Sequence, residues 1–162
     1  MKTTREIAKE NIHDNVVDSL QDILKRNYDA QAGYKRAMEH ADSDYLKQFL
    51  KDRAVQRSHF ATEIDQELRR LNEEPVDSGS TKAALHRSWM DVKNFVSSST
   101  DEALLEECIR GEKASVKTYE NVLDNQNFSP ETTSMLNKQL MRVKNSLNEV
   151  KRLEDIEETV NS

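Results

Sequence analysis

The chain has 162 residues, a net charge of −6 and charged residues at 33% of its composition. That length suits one domain with a real core, and only three Gly and two Pro point to long helices with few turns. The acidic balance, with no Lys/Arg stripe interleaved with aromatics, argues against a nucleic-acid partner. No apolar run approaches the ~18 residues of a membrane span, and the start, Met1 to Glu6, lacks the apolar core of a signal peptide. The expectation is a cytoplasmic protein with no membrane partner. The single Cys108 cannot form an internal disulfide and reads as a small buried hydrophobe.

Residues 1–13 are polar and weakly patterned and are expected to be a flexible lead-in. Asp14 is placed to cap a helix over about residues 15–40. In that segment Leu20, Leu24, Asn27, Gln31, Tyr34 and Met38 recur at spacings of four and three, which keeps one stripe facing a partner helix. Gly33 interrupts it and suggests a close contact with a neighbouring helix. A short turn around Asp42 leads to a second helix over about residues 43–72, with Leu46, Phe49, Leu50, Arg53, Phe60, Ile64, Leu68 and Leu71 on its inner side. A turn this short makes the two helices antiparallel neighbours.

The tract Glu74-Pro75 to Ser80 breaks the pattern. A shorter helix is expected over about residues 81–96, with Leu85, Trp89 and Val92 on its apolar edge. Thr100 then caps a helix reaching about residue 125, whose seam is Leu105, Cys108, Glu112, Ser115, Tyr119 and Val122. Ser129-Pro130 is a good helix start. It opens a last helix over about residues 130–158, with an apolar stripe of Leu136, Leu140, Val143, Leu147 and Val150 and a fraying acidic end. Four such stripes can be buried together only in a bundle. The fold expected is all-α: an antiparallel four-helix bundle over residues 14–158, an extra short helix between the second and third long ones, and a frayed tail at residues 159–162.

The informative residues are polar ones at seam positions. Asn27, Gln31, Arg53, Gln56 and Arg57 form an expected polar core layer. His59 and Glu63 on the second helix, with Glu112 on the third, are the candidate metal ligands. Spacing decides what they can do. A bundle that holds two metals uses Glu-x-x-His pairs, which put both ligands on one helical face. The only literal match, Glu10 to His13, lies in the weak lead-in. At Gln56 to His59 an amide stands where a carboxylate is needed, and a neutral amide is a poor ligand for a hard cation. Glu112 on the seam needs a partner, because a lone buried carboxylate is costly. An ion pair with Arg53 or Arg57 is the plain solution, and a metal ion the sharper one. The stripe of the last helix offers neither Glu nor His.

The run from Glu74-Pro75 and Asp77-Ser78-Gly79-Ser80 to Ala84-Leu85-His86-Arg87-Ser88-Trp89 resembles a bacterial ferritin-like four-helix-bundle family of unknown function. So do Leu105-Glu106-Glu107-Cys108, Arg110-Gly111-Glu112, Tyr119-Glu120, Gly33-Tyr34 and Phe60-Ala61, and the likeness covers roughly residues 15–153. The resemblance implies a ferritin-like bundle, with ancestral ligand positions near Gln31, Gln56 to His59, Glu112 and the middle of the last helix. It implies no reaction. Such proteins often carry His near the place of Leu147, and this chain has Leu there.

The functional expectation is therefore a non-enzymatic bundle acting through protein contacts, as a homo-oligomer or with another protein, with a stress-related role suggested by family analogy. No cofactor is expected. The alternative is a degenerate metal-binding protein that keeps one site for iron or another divalent metal.

Overall fold

The structure, a computed structural model, describes residues 1–78 and 100–161. Those residues form four α-helices and no strand: α1 (Thr4–His40), α2 (Asp44–Arg70), α3 (Asp101–Asn125) and α4 (Pro130–Asn161). The short helix expected over residues 81–96 lies outside the described residues.

α1 begins at Thr4 rather than near residue 15, so Asp14 is inside the helix and caps nothing. The reason is local. The Thr3 side chain accepts a hydrogen bond from the Glu6 amide, and the Glu6 carboxylate accepts one from the Thr3 amide. This reciprocal pair satisfies two amides of the first turn without any apolar stripe. The starts of α3 and α4 are as the sequence suggests. Thr100 Oγ1 accepts from the Ala103 amide at 3.1 Å, and Ser129 Oγ accepts from the Thr132 amide at 3.2 Å.

The short turn after His40 makes α1 and α2 an antiparallel hairpin, and the turn after Asn125 does the same for α3 and α4. Hydrogen bonds fix how the hairpins meet. Tyr34 reaches Glu112 and Asn27 reaches Tyr119, so α1 and α3 run antiparallel. Arg53 reaches Ser146 and Glu67 reaches Thr132, so α2 and α4 do too. α2 and α3 therefore point the same way. Glu73, Glu74 and Val76 bond to His13 and Gln21 at one end of the bundle. Asp101 accepts from the Asp42 and Ser43 amides, at 2.8 and 2.9 Å, at the other end. The end of α2 and the start of α3 thus stand at opposite ends.

The apolar core is divided. One cluster, near the α1–α2 turn, is rich in small side chains: Ala30, Ala37, Ala41 and Ala54 pack with Leu46, Phe49, Leu50, Leu104, Leu105 and Val150. The other packs Leu20, Ile23, Leu24, Ile64 and Leu68 with Leu136, Leu140 and Val143. Between them lies a polar layer.

Candidate functional site

The layer is built on Arg57 of α2 and Glu112 of α3, which are 2% and 0% exposed. Their ion pair is close: Arg57 Nη2 lies 3.1 Å from each carboxylate oxygen of Glu112. The same nitrogen donates to Ser115 Oγ at 3.1 Å, and Nη1 donates to Asn27 Oδ1 at 3.1 Å. The Tyr34 hydroxyl donates to Glu112 Oε1. Burial of a charge is costly unless it is paired and bonded, and here each charge meets both conditions.

The layer continues into α4. Asn27 Nδ2 donates to the Tyr119 hydroxyl at 3.1 Å, and that hydroxyl donates to Gln139 Oε1 at 2.6 Å. Gln139 Nε2 in turn faces Glu63 Oε1 at 3.2 Å. Three side chains, Asn27, Tyr119 and Gln139, therefore link the buried Arg57 to the Glu63 carboxylate at the surface. A second, wetter group lies beside it. Arg53 Nη1 donates to Ser146 Oγ at 2.6 Å, and Ser146 Oγ lies 3.2 Å from Gln56 Oε1.

The electrostatics favour a fixed set of protonation states. Burial is the largest influence and opposes the Arg57 charge, but the Glu112 carboxylate together with the Tyr34 and Tyr119 phenols outweighs it, and the guanidinium pKa stands above its ordinary value. Burial, and then the Glu112 charge, push the Tyr34 phenol well above its ordinary value. Burial lifts Tyr119 to about 12 against the opposing pull of Arg57. The Cys108 thiol is raised well above its usual range by burial and then by Glu112. At neutral pH it is a thiol, the unreactive form.

The residues singled out in the sequence fall into three places. Asn27, Arg57 and Glu112 meet in the buried layer. Arg53 and Gln56 meet around Ser146. Gln31 and His59 stand apart from the layer, and Glu63 touches only its outer end, through Gln139. Gln31 is half-buried and lines a groove between α1 and α2. His59 and Glu63 are exposed and line a groove of about 560 Å³ between α2 and α4, with Lys138 and Arg142 opposite. Glu112 is not part of that groove. Among the described residues, no group of three or more His, Cys, Asp or Glu side chains is placed to hold a metal ion.

Sequence reasoning missed α4's share of the layer. Thr132, Gln139 and Ser146 are buried. They repeat every seven residues beside the buried Leu136, Val143 and Val150. Leu147, expected in the stripe, is only partly buried. The helix is rotated so that small polar residues face inward, and the last stripe is not the uninterrupted apolar surface that its leucines suggest. The available signal was the heptad of Thr, Gln and Ser, which apolar periodicity ignores.

The fold and this centre define a class: helical bundles whose interior carries an ion pair between hairpins. Residues 15–125 match the family described as Domain of unknown function (DUF2383), and the chain belongs to that family. The match spans α1 from its fourth turn through α2 and α3 and stops before α4, so Gln139 and Ser146 lie beyond it. No curated protein matches the chain.

Proposed function

We propose that this chain is a non-enzymatic, ferritin-like bundle protein of the cytoplasm that acts through contacts with other proteins. The ferritin-like reading is supported by the order of directions, in which α2 and α3 run alike and join opposite ends of the bundle; one long crossover of this kind marks ferritin-like topology. The observation that carries the functional reading is the Arg57–Glu112 pair. Ferritin-like proteins place metal-binding carboxylates in the middle of the bundle. Here the central carboxylate touches a guanidinium with both oxygens, at 3.1 Å each, and a cation there would have to sit against that positive charge. The phenols and thiol around it are held in their neutral forms at pH 7, so none of these three groups is poised to act as a base there.

The test is metal analysis of the full chain purified aerobically, with Glu112→Gln as the comparison. The expected result is a metal content far below one ion per chain in both. Stoichiometric iron or manganese that is lost in Glu112→Gln would overturn the proposal.

A further inference from the structure

The buried layer leaves one hydrogen-bond donor over. Nη1 and Nη2 carry every bond of Arg57 described above, while Nε is buried and has no partner among the described residues. A missing bond at a buried charged group is the costly kind, because that one N–H has given up water and gained no acceptor in exchange. The same side chain lines a cleft between α1 and α3, with Asn27, Ser115 and Tyr119 around it and the half-exposed Arg26 beside it. The cleft offers a volume of about 20 Å³. One water-sized occupant needs about 10–15 Å³, so there is room for one such body and not for a phosphate or carboxylate group. A second donor is available. Ser115 Oγ accepts from Arg57 Nη2, which leaves its own hydrogen free to point elsewhere.

We propose that this cleft is a binding site for a single hydrogen-bond acceptor of atomic size, held by Arg57 Nε and the Ser115 hydroxyl. Two sources share that chemistry, a water molecule and a halide ion. The site is independent of the function proposed above: it needs the Arg57 geometry and no protein partner.

The experiment is nuclear magnetic resonance on the ¹⁵N-labelled full chain, read at the assigned Arg57 Nε–H. Water in the site gives a rotating-frame Overhauser peak between that hydrogen and the water line. A halide gives an Nε–H shift that saturates as sodium bromide replaces sodium sulfate at constant ionic strength. Either result supports the site and identifies its occupant. Ala114 lines the cleft and is exposed, so Ala114→Leu fills the cleft from outside without touching the ion pair. It should remove whichever signal the wild type gives. If the wild type shows neither signal, or if the signal survives unchanged in Ala114→Leu, the proposal is overturned.

Discussion

Arg53 and Arg57 stand one turn apart on the same face of α2, and each guanidinium lies over an aromatic ring, Phe49 at 5.4 Å and Phe60 at 5.9 Å. Their surroundings differ. The Arg57 side chain is 2% exposed and its carboxylate partner 0%. The Arg53 side chain is 18% exposed, and its carboxylate partner, Glu149, is 3.8 Å away and 44% exposed. The residue type and the aromatic contact are the same, so depth sets the energetic role. A pair within reach of water is screened and contributes little. A pair sealed from water is costly to form and more costly to break, because the survivor is left charged in a poor solvent.

The sharpest way to break that comparison is to remove one partner of the deep pair. Glu112→Ala should cost about 3–5 kcal/mol of folding stability in urea titrations. The double variant Arg57→Met, Glu112→Leu should recover most of that loss, since an apolar pair of similar size replaces a pair that only broke even. If the double variant is as unstable as the single one, the layer owes its stability to shape and not to charge.

The next effect is smaller and appears at alkaline pH. The folded pKa of Tyr119, about 12 against an ordinary phenol value of 10.0, is raised. Its contribution is therefore complete below pH 10 and is lost as pH rises from there toward 12. Two pH units correspond to on the order of 3 kcal/mol. Tyr34, raised in the same direction, adds to this slope. Circular-dichroism melts across pH 9 to 12 should show a fall in midpoint that is visibly shallower in Tyr119→Phe. An equal fall in both proteins would mean that other groups govern the alkaline limit.

The smallest effect belongs to the shallow arginine. Arg53→Met keeps the stem over Phe49 and removes the charge, and it should change stability by less than about 1 kcal/mol. A loss as large as that of Glu112→Ala would show that the two arginines are equivalent after all.

The same contrast explains what could be read from the sequence. Asn27, Arg57 and Glu112 were legible because a polar residue on an otherwise apolar stripe must either find a partner or face solvent. Gln31, Gln56 and His59 carried the same signal, but a helical stripe is wide and its edges are wet, so position on the stripe did not separate buried from half-exposed. α4 was misread for the opposite reason. Of its expected stripe only Leu147 lies on the flank, and Thr132, Gln139 and Ser146, which hydropathy counts as surface, are buried beside Leu136, Leu140, Val143 and Val150. The long helices and their turns were legible from spacing and caps. The early start of α1 was legible only in the Thr3 and Glu6 pair, since the first three turns have no stripe to bury.

The placement of one charge on each hairpin has a further consequence for assembly. The α1–α2 hairpin brings the cation and the α3–α4 hairpin brings the anion. Two copies of the first hairpin docked face to face would set Arg57 against Arg57, and two copies of the second would set Glu112 against Glu112. Like charges meeting in a dry interior repel strongly. Only the mixed pairing cancels them, so a newly made chain carries its own means of telling its other half from a second copy of the same half.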